Sequence, residues 1–126
     1  VHYYIGIVKK LSLNKFYNFV KLFLGFHYSR LIHKPTQIGL PFFVSIEPTT
    51  SCNLRCPQCP SGLREFTRPT GMLQNNLFEK IIPQIKNTVH SLTFYFQGEP
   101  YLNPDFLKMV DSANRHHIYT ITSTNA

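Results

Sequence analysis

Three cysteines stand within eight residues, in the segment Cys52-Asn53-Leu54-Arg55-Cys56-Pro57-Gln58-Cys59. They are all the cysteine the 126 residues contain. An odd set this close together argues against a disulfide framework and for a metal or redox site in a reducing compartment. Three thiolates on one loop can take three corners of a cubane iron–sulfur cluster. The fourth iron then lacks a protein ligand and can bind and polarise another group, as the open position of a catalytic metal site does. A structural zinc site needs a fourth ligand. His33 and His90 are the candidates, and neither sits at a zinc-finger spacing.

A second group is Gln97-Gly98-Glu99-Pro100, and a third is Ser123-Thr124-Asn125. Glycine lets a backbone approach a ligand closely, and the carboxylate of Glu99 can accept hydrogen bonds from an ammonium. Taken alone, Gly-Glu-Pro is a turn and Ser-Thr-Asn a polar strand end. Other chemistry is sparse. His116-His117 reads as a solvated cap at a helix end rather than a metal site. Glu47 is either a contact to the cysteine loop or a solvated strand end, and Arg55 either balances an anionic cluster or sits in water. No phosphate-cradling glycine loop and no Ser-His-Asp order occurs.

The elements that must position these groups follow from the apolar periodicity. Residues 3–33 read as helical, with apolar side chains at 13, 16, 17, 20, 24, 28 and 31 opposite Asn14, Asn18, Lys21, Gly25 and Ser29. The expectation is that this wide apolar face packs across a core; lying on a membrane surface is the alternative. Two prolines and a glycine break the chain at residues 35–41. Residues 42–46 read as a short buried strand, 49–71 as a long functional loop, and 74–87 as a helix in which Pro83 is expected to make a kink or a new start. Residues 92–96 are a second strand. Asn103-Pro104-Asp105 looks like an N-cap, an N1 proline and a first-turn acid opening a helix through about Arg115. Residues 118–122 are a third strand. Helix and strand alternate, which implies βαβ units and a parallel sheet.

The composition is that of a globular chain: 43% hydrophobic and 15% charged. The formal charge of +7 is uneven, since residues 1–46 hold six basic residues and no acidic one. Such a segment attracts nucleic acid, anionic lipid or an acidic partner, but no tight Lys/Arg cluster sharpens it, and nucleic acid is not expected. No run approaches the roughly 18 apolar residues of a membrane span, and residues 16–26 lack a signal-peptide cleavage site, so the expected location is cytoplasmic. The chain begins at Val1 and stops at Ala126 straight after a strand-like run, and both ends read as cut.

The C-x3-C-x2-C spacing just after a first strand resembles the signature of the radical S-adenosylmethionine (SAM) superfamily, and Gln97-Gly98-Glu99-Pro100 is similar to that family's Gly-Gly-Glu-Pro motif. Ser123-Thr124-Asn125 matches its third-strand motif more weakly. The resemblance covers residues 42–126 and implies an α/β fold, the first three βα units of a partial (β/α)6 TIM-like barrel; the basic amphipathic helical segment at residues 1–40 precedes it and lies outside the resemblance. It implies that Cys52, Cys56 and Cys59 hold a [4Fe–4S] cluster. Gly98, Glu99 and Pro100 would frame the methionyl end of SAM, with Gln58 near the adenine through its backbone and Ser123 and Asn125 facing SAM or substrate. The implied reaction is reductive cleavage of SAM to a 5′-deoxyadenosyl radical that abstracts a substrate hydrogen, with an electron donor such as flavodoxin or ferredoxin. Tyr95-Phe96-Gln97-Gly98-Glu99-Pro100 looks like the subgroup that often carries a SPASM domain and modifies peptides or proteins. The chain departs from the family at Gln58, where an aromatic residue is frequent, and at Gln97 and Ala126, where glycines are usual. The rival readings are a non-catalytic zinc- or nucleic-acid-binding module and an inactive truncated scaffold. With only three strands, the third should present an exposed edge that makes the chain by itself poorly soluble or partly disordered.

Overall fold

The computed structural model describes residues 2–125, with side chains from Gly6 onward; Val1 and Ala126, the latter at the expected third-motif glycine, lie outside the described residues. The architecture is α/β. Three parallel strands, β1 (Phe43–Ser45), β2 (Ser91–Phe94) and β3 (Tyr119–Thr122), form one sheet in the order β1-β2-β3. Phe43 pairs with Ser91, and Ser91 with Tyr119. Before the sheet come α1 (His2–Lys9) and α2 (Leu13–Ile32). Between β1 and β2 lie the four-residue α3 (Pro60–Leu63) and α4 (Asn75–Ile85), and α5 (Phe106–Arg115) links β2 to β3.

The core lies between the sheet and its crossover helices: Phe78 and Ile82 of α4, Leu92 and Phe94 of β2, Phe106, Met109 and Ala113 of α5, with Val89 and Ile118 leading into strands. Phe94 stands 5.6 Å from Phe78 and 5.5 Å from Phe106, ring centre to ring centre, so one central-strand side chain joins both helices. Burying a side chain of this size is worth about 1.5–3 kcal/mol.

Several elements differ from the sequence reading. The leading helix is two helices, because Ser12 caps a new start by accepting the Lys15 N–H. Strand β1 is an edge rather than a buried strand, with Phe43 69% exposed, while the central β2 carries the burial. Helix α4 does not restart at Pro83 but runs through it to Ile85, two residues further on, with Pro83 on the exposed side. Asp105, not Asn103, precedes α5. The Asn103 side chain instead donates to Pro48 O (2.7 Å) and Leu73 O (3.0 Å) and accepts from Asp105 N.

The largest correction concerns α2. The face turned to the body carries Lys15 and, from the polar stripe, Asn18, Gly25 and Ser29, with Leu22 packed on Gly39, and most of the expected apolar face points outward. Lys15 Nζ donates to His117 O (2.6 Å) and Asn18 Nδ2 to Leu40 O (2.9 Å) and Thr88 O (3.3 Å), while Asn18 Oδ1 accepts Leu40 N–H. Gly25 packs on Ile38, and the Ser29 hydroxyl bonds Thr36. Short polar groups were available on that stripe to satisfy the backbone carbonyls that end the neighbouring loops, and a buried carbonyl without a donor is costly. These contacts all reach segments just before β1, β2 and β3, so α2 lies across the N-terminal edge of the sheet. No helix is long and apolar enough to cross a membrane.

Candidate active site

The three chemistry-bearing groups follow the C-terminal ends of the three strands. In a parallel sheet the strand ends share one edge, which brings together segments about 25–75 residues apart in sequence.

The cysteine loop is closed at its base. Thr49 and Met72 form an antiparallel bridge, Leu73 N donates to Pro48 O (2.9 Å), and Thr50 N donates to Gly71 O (3.1 Å). Glu47 pairs with Arg68 at 2.7 Å, which resolves its role as a clasp across the loop mouth. Within the loop Cys59 N donates to Cys56 O, forming the turn that holds the exposed Gln58. Pro60 then opens α3, whose Gly62 lies against the backbone of Cys56: a Cβ there would meet Cys56 N at 2.5 Å.

The second group is welded to the first. Gly98 has φ +78°, and a Cβ on it would stand 2.1 Å from Thr49 O. Glu99 N donates to Ser51 O (2.8 Å). The glycine therefore serves a close approach to the protein's own backbone, at the base of the cysteine loop, where the sequence reading had a ligand. Pro100 is buried and begins a 3-10 turn over Pro100–Leu102. The Gln97 side chain turns back to α3: Ser61 Oγ donates to Gln97 Oε1 (2.9 Å) and accepts from Gly98 N (3.1 Å), and Cys59 Sγ lies 3.5 Å from the same amide oxygen.

The third group joins through Glu99, which is 4% exposed. Its Oε1 accepts from Thr124 Oγ1 (2.7 Å) and Tyr101 N (3.2 Å), and its Oε2 from Asn125 N (2.8 Å). Burial pushes the carboxyl up, but the bonds from Asn125, Thr124 and Tyr101 outweigh it and hold Glu99 below the ordinary carboxylate range. Asn125 Nδ2 reaches on to Asn53 Oδ1 (2.9 Å) and Cys52 Sγ (3.6 Å). Ser123 is exposed, and its neighbour Thr124 makes the contact, since successive side chains at a strand end alternate direction. Thr124, Ser61, Gly62 and Asn53 were missed as site residues. For Ser61 and Gly62 the Cys-Pro start of a helix was the signal available.

Beside Asn53, Glu99, Tyr101, Leu102, Thr124 and Asn125 a cleft of about 440 Å³ opens next to the cysteine loop. The donor set fits an iron–sulfur cluster. The cysteines are free thiols, and soft thiolates suit such clusters. Leu54 N donates to Cys52 Sγ (3.4 Å), and the amides of Gly62 and Ser61 hold the Cys59 thiol below its ordinary range. Among the described residues no three His, Cys, Asp or Glu side chains already converge on a metal-sized point, and bringing flexible ligands together is work that metal binding does. His90 precedes β2, at the opposite edge of the sheet from the cysteines, and His33 ends α2. Neither supplies the fourth ligand of the zinc reading. The His116 ring bonds Ser112 O, and His117 offers its carbonyl to Lys15.

No family model matches the chain. Mycofactocin maturase MftC of Mycobacterium ulcerans is 33% identical over 88 residues, covering 70% of this chain and 23% of that protein. PqqA peptide cyclase of Rhodopseudomonas palustris is 27% identical over the same share of each. The crystal structure of BtrN in complex with AdoMet and 2-DOIA superposes with a TM-score of 0.60 at 23% identity, over 68% of this chain and 36% of that one. These likenesses, each over part of the chain, support a radical SAM superfamily member. It spans about a quarter of the length of the curated relatives it matches, and its three parallel strands correspond to part of the radical SAM barrel.

Proposed function

We propose that this chain is the N-terminal part of the catalytic core of a radical SAM enzyme that acts on a peptide or protein. The observation that carries the reading is the junction at the C-terminal edge of the sheet. Gly98 is seated on Thr49, Glu99 is bonded to Thr124 and Asn125, and Asn125 reaches Cys52. One mutually braced set thus holds the cysteine loop beside a cleft.

Cys52, Cys56 and Cys59 would hold a [4Fe–4S] cluster, with SAM on the iron they leave open. When bound, these cofactors supply a one-electron reductive cleavage that yields a 5′-deoxyadenosyl radical able to abstract hydrogen. This chain's residues bind and orient. Glu99 has three of its roughly four acceptor positions occupied by the protein, leaving one for the SAM ammonium. Its lowered pKa keeps it anionic for that contact at neutral pH. Gly98 and Pro100 set the backbone on either side, the backbone of Gln58 approaches the adenine, and Asn125 and Ser123 line the approach to substrate. A peptide substrate is supported by the curated relative named PqqA peptide cyclase. The subgroup pattern Tyr95-Phe96-Gln97-Gly98-Glu99-Pro100 supports a SPASM-like enzyme, fed by a flavodoxin or ferredoxin in the cytoplasm.

Anaerobic reconstitution of the full-length protein with iron and sulfide tests this. The expected result is a brown protein with a visible thiolate-to-iron band that releases 5′-deoxyadenosine from SAM on reduction. Replacing any one of Cys52, Cys56 and Cys59 by serine should abolish both. Colourless protein that takes up stoichiometric zinc would reject the reading, and so would an intact cluster that forms no 5′-deoxyadenosine.

A further inference from the structure

Helix α2 is amphipathic in the reverse sense to a helix that packs on a core. Its inward side is Lys15, Asn18, Gly25 and Ser29, each bonded to or packed on the body, with Leu22 among them against Gly39. With 3.6 residues per turn, the opposite side is a strip of Leu13, Tyr17, Leu24 and Leu31, which are 86%, 63%, 57% and 79% exposed. Phe16 and Phe23 widen the strip along one side and are also exposed. Apolar side chains scattered singly over a surface need no explanation, but a continuous strip of this length marks an interaction site.

The charges around the strip identify its occupant. Lys21 lies on one flank with its ammonium 4.6 Å from the Tyr17 ring centre, and Arg30 on the other with its guanidinium 5.8 Å from the Phe26 ring centre. Long basic side chains beside aromatic rings are suited to a boundary that is apolar below and anionic above. The first acidic residue of the chain is Glu47. A two-fold contact between copies through this strip would bring the same cations face to face with no acid from residues 1–46 to offset them. An anionic surface is the electrostatic complement.

We propose that α2 is a monotopic membrane anchor, lying in the plane of an anionic lipid bilayer with Leu13, Tyr17, Leu24 and Leu31 in the acyl boundary and Lys21 and Arg30 among the headgroups. Because α2 is clamped by its polar side to the N-terminal edge of the sheet, the body sits above the bilayer with the cysteine loop, at the opposite edge, facing away from it. The proposal is independent of the reaction assigned to that loop.

The test is flotation of the purified full-length protein with phosphatidylcholine vesicles, with and without 30% phosphatidylglycerol. Binding is expected to the anionic vesicles and to weaken in 1 M salt. The double substitution Lys21→Gln with Arg30→Gln should lower the partition constant about 30-fold, at roughly five-fold per cation near the surface. Leu24→Asp with Leu31→Asp should abolish it, with circular dichroism and cluster content unchanged because both side chains are exposed. Hydroxyl-radical footprinting of the lipid-free protein supplies a second reading, in which Tyr17, Phe23 and Leu24 should be labelled and vesicles should protect them. Absence of binding, equal binding to pure phosphatidylcholine, protection before lipid is added, or a dimer that dissociates on Leu24→Asp would each overturn the proposal.

Discussion

Gly98 is the residue on which the site's geometry turns. A side chain there meets two penalties at once: a left-handed backbone angle, which costs an L-residue about 1–2 kcal/mol, and a Cβ 2.1 Å from Thr49 O. Gly98→Ala should destabilise the chain by roughly 2–4 kcal/mol, read from urea unfolding, and should separate the cysteine loop from Glu99. Stability within 0.5 kcal/mol of wild type would mean the close approach is not needed. Glu99 makes a pH-dependent contribution. Its folded pKa is depressed, so the folded state holds fewer protons as pH falls, and the stability it provides is present above about pH 4.5 and lost as pH drops through the folded value. Glu99→Gln replaces one carboxylate oxygen by an amide donor, so either Asn125 N or Tyr101 N loses its acceptor, and it should cost about 1–3 kcal/mol at pH 7. The gap between the two proteins should narrow between pH 5 and pH 3, and a gap independent of pH would contradict the assignment.

At the scale of elements, α2 shows how a hydrophobic pattern can be read correctly as a helix and assigned the wrong face. A paired substitution checks the orientation. Asn18→Leu, on the nominally polar side, strands Leu40 and Thr88 carbonyls and should cost about 1–3 kcal/mol. Leu24→Asn, on the apolar side, should lie within about 0.5 kcal/mol of wild type in thermal unfolding. The reverse order would restore the core-packing view. Lys15 offers an independent check. It is 1% exposed, and burial, with the charge of Lys10 beside it, lowers its pKa to about 8. Between about pH 8 and pH 10.5 the unfolded chain therefore holds more protons than the folded one, and stability should rise with pH across that window. In Lys15→Met, which keeps the buried stem, the rise should vanish.

For the molecule as a whole, the sheet keeps α2 and the cysteine loop at opposite edges. The N-terminal edge is covered by α2, and the C-terminal edge carries the cysteine loop with the two later motifs. Strand β3 pairs with β2 on one side only among the described residues, and Ile121 and Thr122 are exposed. The 126-residue chain studied alone should therefore show rapid hydrogen exchange along β3 and a tendency to associate through that edge. A longer chain containing the same residues should protect it, and equal protection in both would remove the expectation.

The three cysteines, their spacing, the Gly-Glu-Pro turn one βα unit later and the strand–helix alternation are local features, and sequence by itself determined the α/β fold class and the radical SAM resemblance from them. Spacing along the chain is set by covalent connectivity, so it survives without a structure. What the tertiary structure decided were long-range choices: that Gly98 presses on Thr49, that Thr124 rather than Ser123 reaches Glu99, that Glu47 closes the loop onto Arg68, and that α2 turns its polar stripe inward. Each depends on which unsatisfied carbonyl or carboxylate another segment brings within about 3 Å. Partners 20 to 100 residues away leave no trace in local periodicity.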